Sequence, residues 1–278
     1  MKKIFSFILS LFIAIFVYGQ DSLSVDSLQT VNDSIQIGTH TEFSVAKLND
    51  VTKADGDSAY VKNDYASAIQ IYEALLKKGE AAEVYYNLGN SYYKIDEIAK
   101  AVLNYERALL LQPGNSDIRA NLDVARSKTV DKMEVVPEIF FVTWIKALIF
   151  SMSVDAWTIL GIVCFVLLIA SLYFFIFSKH IIWKKTGFVA GVIFLILVVS
   201  ANVFAAQQKE YLLNRNKAII MSPSVTVRST PNESGTSLFV LHEGIKVSIK
   251  DTSMRDWKEI LLDDGKVGWV PSSVVEII

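Results

Sequence analysis

Apolar and polar positions follow three different periods along this chain, and each period predicts its own kind of element. Two runs, 156–177 and 186–206, carry roughly 20 residues each without a charged side chain, the length an α-helix needs to cross about 30 Å of hydrocarbon. Lipid offers backbone N–H and C=O groups no partner, so both runs are predicted helical, and the short link 178–185 forces them antiparallel. The link holds Lys179, Lys184 and Lys185 and no acid, and short Lys-rich loops stay cytoplasmic. Both flanks are therefore expected on the opposite side. The N-terminus agrees: Lys2 and Lys3 precede an uncharged run from Ile4 to Val17 and then Tyr18-Gly19-Gln20, which reads as a secretory signal over residues 1–19. A shorter apolar stretch, Ile139 to Phe150, is bounded by Pro137-Glu138 and interrupted by Lys146. Its length suits an amphipathic helix lying in the outer interface, within 135–153, rather than a third span.

Residues 20–47 are dominated by Ser, Asp, Thr, Asn and Gln with aliphatics at irregular intervals. Such a segment buries too little apolar surface to offset chain entropy, and it is expected to be a flexible tether. From 48 to 130 the period is helical and the segment repeats itself. Tyr85, Leu88, Gly89, Tyr92, Ala101, Tyr105, Ala108 and Pro113 fall where the 34-residue tetratricopeptide pattern requires them. Packing explains the spacing: Gly89 and Ala101 let two helices approach, and Tyr92 and Tyr105 fill the gap beside them. Gly56, Tyr60, Ala68, Tyr72 and Leu75 echo the pattern one unit earlier, with a residue missing at Lys77-Lys78-Gly79 and a turn at Asn63-Asp64. A helix from Ser116 to Lys128 is expected to cap the open end. The first helix of each hairpin lines the concave face of such an array. That predicts a partner-binding groove of Tyr86, Asn90, Tyr93 and Lys94, with Asn87 at its edge and Asn121 in the equivalent place on the cap helix. Asn donates and accepts against a peptide backbone, and Tyr supplies contact area at low entropic cost. The alternative for the Asn residues is that they satisfy polar groups between helices.

Over 216–278 the period becomes two. Short strands are predicted at Ala218–Ile220, Ser224–Arg228, Leu238–Leu241, Lys246–Ile249, Trp257–Leu262 and Gly268–Val270, with a hairpin turn at Asp263-Asp264-Gly265-Lys266. These residues resemble the bacterial SH3-like domain, through Val225-Thr226-Val227-Arg228-Ser229-Thr230-Pro231, Leu241-His242-Glu243-Gly244, Trp257 and the closing Asp264-Gly265-Lys266-Val267-Gly268-Trp269-Val270. The resemblance implies a barrel of five or so strands with Val225, Val227, Leu241, Val247, Ile260 and Val270 in its core and tight backbone turns at Gly244 and Gly268. Arg228, Trp257 and Trp269 could line a peptide groove on it, or both Trp residues could be core. The fold class expected for the whole is a multidomain membrane protein: an all-α repeat solenoid, a two-helix hairpin and a small all-β SH3-like barrel.

Composition then narrows the chemistry. A net charge of −2 gives no basic face for nucleic acid. The one cysteine, Cys164, lies within the first long apolar run, so neither a disulfide framework nor a cysteine nucleophile is expected, and three scattered histidines (His40, His180, His242) suggest no metal site. Asp96-Glu97 and Asp263-Asp264 fall at turns, where capping accounts for them. There is no Gly-rich phosphate loop and no HExxH motif. The expectation is a non-enzyme without cofactor or metal. The order of signal, tether, repeats, hairpin with basic tip and SH3-like domain resembles the BatE-type proteins of the Bacteroides aerotolerance operon. That resemblance implies an inner-membrane member of an envelope complex, with periplasmic domains and partners bearing von Willebrand A-type domains. Cell-wall peptides are the alternative ligand.

Overall fold

The computed structural model describes residues 50–132, 139–251 and 253–278. The expected signal (1–19), the tether (20–47) and the beginning of the 135–153 segment lie outside the described residues.

The helical part is built from α1 (Lys53–Val61), α2 (Tyr65–Leu76), α3 (Ala82–Lys94), α4 (Ile98–Leu111) and α5 (Ser116–Ser127). Three of the starts have a local cause. Thr52 and Asp55 form a reciprocal capping box on α1, Asp64 caps α2 by accepting the Ser67 N–H, and Asn115 caps α5 by accepting from Asp117 and Ile118. Within each hairpin the turn is made by a residue in the left-handed region, Asn63 at φ 60° and Asp96 at φ 64°, side chains that tolerate it. The expected packing of small against aromatic residues occurs twice. A Cβ on Gly89 would lie 2.7 Å from the Tyr105 ring, and one on Gly56 would lie 2.5 Å from the Tyr72 ring. The two hairpins therefore use the same contact one repeat apart.

Next come α6 (Phe140–Ile149), α7 (Val154–Phe177) and α8 (Ile181–Leu213). By length and composition α7 and α8 are both apolar enough to cross a membrane. The link between them is shorter than the sequence suggests. Ile181 to Lys185 already belong to α8, because nothing in Ile-Ile-Trp-Lys-Lys breaks a helix, and only Ser178 to His180 remain as the bend. The two helices meet along a seam whose α7 members are Trp157, Gly161, Cys164, Leu168 and Ser171, spaced alternately four and three apart. Small residues set the approach, since a Cβ on Gly187 would come within 2.8 Å of the Ser171 carbonyl oxygen. Trp157 and Gln208 are both buried, and donate to the Ile149 carbonyl (3.0 Å) and the Met152 carbonyl (2.8 Å), fixing the α6–α7 bend. Phe140, Phe141 and Trp144 on α6 remain exposed.

The C-terminal part is antiparallel: β1 (Lys217–Ile220), β2 (Ser224–Arg228), β3 (Ser237–His242), β4 (Lys246–Asp251), β5 (Trp257–Leu261), β6 (Val267–Pro271) and, after a 3₁₀ turn, β7 (Val275–Ile277). Among the described residues these form one sheet in the order β3-β2-β6-β5-β4-β1-β7. The expected small all-β SH3-like domain is present, as an open sheet of seven strands rather than a closed barrel of about five, with β3 and β7 as its edges. Bulges at Val227/Arg228 and Ile249/Asp251 bend the ladder, the device by which small sheets curl over their own core. The expected core, Val225, Val227, Leu241, Val247, Ile260 and Val270, is buried throughout. Gly268 is not at a turn. It lies within β6, and an added Cβ there would collide with the Val227 side chain.

Sheet and repeats are docked. Ile219 of β1 and the C-terminal Ile278 are part of the helical core rather than the sheet core. Arg107 of α4 donates to Glu276 (3.0 Å) and to the Ile277 carbonyl (2.6 Å), while Asp131 accepts the His242 N–H (2.8 Å) and lies 2.9 Å from its Nδ1. The exit from α8 is tied as well, through Arg215, which donates to both oxygens of Glu80 at 2.8 and 2.5 Å. Arg215 holds the Glu80 carboxyl below its ordinary range. A carboxylate whose folded pKa is depressed contributes stability above its unfolded pKa and loses it as pH falls through the folded value. The advantage of the native chain over Glu80→Gln should therefore be constant at neutral pH and vanish below the usual carboxylate range, which thermal melts of the two proteins across pH 3 to 7 would show.

Candidate functional site

The groove forms where α1, α3 and α5 present one face and α4 closes its floor. Asn90, Tyr93, Lys94 and Asn121 line a cavity of about 220 Å³ together with Tyr60, Tyr105 and Val124. Of the residues singled out in the sequence, these four come together. Tyr86 stands behind them, with its hydroxyl accepting from Asn121 Nδ2 at 2.8 Å. Asn87 does not face this cavity; it donates to Asp57 at 2.8 Å, one repeat earlier.

A ladder explains these placements. Tyr72 of α2 donates to Asp57 (2.7 Å), which also accepts from Asn87; one repeat on, Tyr105 of α4 donates to Asn90 (2.7 Å), which also accepts from Asn121 at 3.0 Å. Each rung joins the two helices of one hairpin to the first helix of the next unit. Burial pushes the Asp57 carboxyl up, but hydrogen bonds from Tyr72, Lys53 and Asn87 outweigh it and the net shift is downward. Burial pushes the Tyr105 phenol up, so the hydroxyl remains a donor well into alkaline pH. The Asn residues thus carry the inter-helix role that the sequence left open, and Asn90 and Asn121 have groove exposure in addition. Lys128 sits 4.3 Å over the Tyr93 ring. Lys94 is exposed at the mouth.

On the sheet, register places Arg228 opposite Trp269, and Trp269 opposite Glu259, while Trp257 stands opposite Pro271. Neighbours on one face alternate with the buried Val227, Ile260, Gly268 and Val270, so both Trp residues lie on the side away from the core and are half-buried there. Arg228 is held by donation to the Gly235 carbonyl at 3.0 Å, which fixes the β2–β3 loop beside the Trp row. These three residues share a face as a groove requires, though the guanidinium is already engaged.

Tyr60 and Val124 are groove residues that sequence spacing did not single out. A signal for Tyr60 existed, since it occupies in α1 the place that Tyr93 occupies in α3, 33 residues later.

Comparison with known families agrees with this geometry. Residues 82–115, which contain α3 and α4, match the tetratricopeptide repeat family, and residues 223–276 match the bacterial SH3 domain. No curated protein matches the chain. Both modules mediate protein interaction or cell-wall binding, and partner binding is the class of function they support.

Proposed function

We propose that the chain is a non-catalytic inner-membrane scaffold that gathers partner proteins into an envelope complex. In this reading α7 and α8 cross the bilayer, the bend with Lys179 and the nearby Lys184 and Lys185 is cytoplasmic, and repeats and sheet stand together on the periplasmic side. The observation that carries it is the groove of Asn90, Tyr93, Lys94 and Asn121, held by hydrogen-bonded rungs on a head that is tied to both the sheet and the apolar helices. Its wall offers amides, phenol faces and one lysine, and no described carboxylate, which suits a peptide with an acidic or free carboxylate group. The order of elements, through its aerotolerance-type resemblance, suggests membrane proteins with von Willebrand A-type domains as partners and oxygen or stress tolerance as the setting.

The test separates groove from fold. Tyr93→Ala combined with Lys94→Glu should lower recovery of co-purifying membrane proteins at least tenfold from detergent extracts, while the melting temperature falls by only a few degrees as Tyr93 gives up its partial packing and its contact with Lys128. Asn90→Ala should lose recovery and stability together, because Tyr105 is left without its acceptor, at a cost of about 1–3 kcal/mol. Full recovery with the double variant would overturn the groove assignment, and a reporter fused after Ile278 that is active only in the cytoplasm would overturn the orientation.

A second reading is favoured by the Trp257–Trp269 face: the sheet grips cell-wall peptides. Ile219 belongs to the helical core, so the full chain is the protein to use. Sedimentation with purified wall that Trp269→Ala abolishes would support it, and no sedimentation at low salt would reject it.

A further inference from the structure

Beyond the groove, the molecule has a cavity of about 180 Å³ where the end of α4, the start of α5, the end of α6, the polar end of α8 and β1 converge. This is below the roughly 300 Å³ of drug-sized sites and suits a small polar head whose remainder extends outside the recess. Its floor is apolar, with Leu110, Phe150 and Tyr211, the last two in edge-to-face contact at 5.1 Å. Tyr211 lies five residues past Ala206, where the apolar run ends, or about 7.5 Å at the helical rise. The headgroup layer on each side of the hydrocarbon is about 5–8 Å deep. On the reading that α8 spans the bilayer, on which this inference rests, the cavity opens at the level of lipid headgroups.

Its charge is the second observation. Four cationic side chains line it, and two are matched: Lys246 by Glu106 at 2.6 Å and Arg215 by Glu80. The other two, Arg119 and Lys217, pair with no carboxylate side chain among the described residues. Arg119 spends an N–H on the Pro113 carbonyl at 2.7 Å, leaving most of its five donors, and Lys217 lies over the Tyr211 ring at 5.6 Å. Arg119 is exposed and Lys217 is half-buried. These two flank a recess with an aromatic floor at headgroup depth.

We infer that this junction is a phosphate-binding site whose occupant is the headgroup of an anionic phospholipid, with its phosphate between Arg119 and Lys217 and its glycerol end along Phe150 and Tyr211. A guanidinium matches phosphate geometry in a bidentate way, and two cations without a carboxylate side chain to balance them would repel the amine of a zwitterionic headgroup. A seated lipid would brace the repeats, the sheet and α8 at once, and so set the groove's orientation above the membrane.

The experiment uses the full chain in mild detergent. Phospholipid that co-purifies with the native protein should fall at least threefold in Arg119→Gln/Lys217→Gln, as read by phosphorus assay and mass spectrometry. Independently of any variant, adding an anionic phospholipid in mixed micelles to delipidated native protein should raise its melting temperature by several degrees, whereas zwitterionic lipid should not. Equal lipid retention in the variant, or no shift with anionic lipid, overturns the inference. The same shift with inorganic phosphate alone overturns the lipid as source, and a co-purifying peptide at the site in place of lipid overturns the ligand class. Resistance of the native chain to alkaline extraction from membranes is read alongside: release would remove the spanning reading itself, while retention with no lipid effect removes this inference alone.

Discussion

Replacing Tyr105 with alanine is expected to cost the helical head about 4 kcal/mol, within the 3–5 kcal/mol typical of deleting a buried aromatic ring. The ring is 2% exposed, fills the notch left by Gly89, and lies 6.0 Å from the Tyr86 ring. Neither α3 nor α4 can close on the vacancy, because both are held by their neighbours in the array. The hydroxyl loss is smaller, because Asn90 Oδ1 keeps the Asn121 donor. Tyr105→Phe should accordingly cost only about 1 kcal/mol. Thermal melts of both variants in detergent would separate the two terms. For a chain of this size the alanine protein should melt roughly 10 °C lower and the phenylalanine protein a few degrees lower at most. A phenylalanine variant as unstable as the alanine one would mean that the hydrogen-bonded ladder, not the ring, holds the hairpin. Partner recovery should follow stability in the alanine variant and survive in the phenylalanine variant, since the groove wall keeps its ring.

Why the repeat was legible and the junction was not follows from how far each interaction reaches along the chain. Gly89 and Tyr105 are 16 residues apart in a family-wide spacing, so the sequence discloses their contact; the same holds for Gly56 and Tyr72. Strand positions of the sheet were legible because alternation is local, and Val225 to Val270 all reached its core. The seventh strand escaped because Val275–Ile277 has one buried residue beside two exposed ones, too little alternation to register. The open sheet escaped for a related reason: closure depends on which strands pair at the ends, and β7 pairs with β1 across most of the domain, Ala218 facing Ile277 and Ile219 facing Glu276. Asn87 read as a groove-edge residue because its spacing matches Asn121, but its rung ends on Asp57, a carboxylate whose position no pattern marks. Local alternation does not say which face the two Trp residues take; the register does, with Trp257 opposite Pro271 and Trp269 opposite Glu259. Docking of sheet on repeats is illegible in principle from one sequence, since Lys246 and Glu106 are 140 residues apart and neither belongs to a motif.

That docking carries the second large effect. Glu106→Ala is expected to destabilise the protein by about 3 kcal/mol and to free the sheet from the repeats. Glu106 is 6% exposed on α4, accepts from Arg126 of α5, and accepts from Lys246 of β4 at 2.6 Å. Removing one partner of a buried pair typically costs about 3–5 kcal/mol, because the remaining charge is left without compensation. The lower end applies, since the Lys246 and Arg126 side chains keep 21% and 41% of their surface and can recruit water. The local consequence differs from that of Tyr105→Ala. In the Glu106 variant the helical ladder is intact, so amide hydrogen exchange should quicken at Ile219, Ile278 and the β1–β7 edge while Asn90 and Tyr105 keep their protection. Replacing Glu106, Lys246 and Arg126 together by apolar residues of similar volume should recover most of the stability, as apolar exchange of a buried ionic cluster commonly does. If Glu106→Ala alone leaves exchange at Ile219 unchanged, then Arg107 and the apolar contact of Ile219 and Ile278 suffice to hold the sheet, and the ionic cluster serves the repeats only. If exchange quickens as expected and partner recovery falls with it, the groove works only when the sheet is docked beside it, which makes repeats and sheet one binding head.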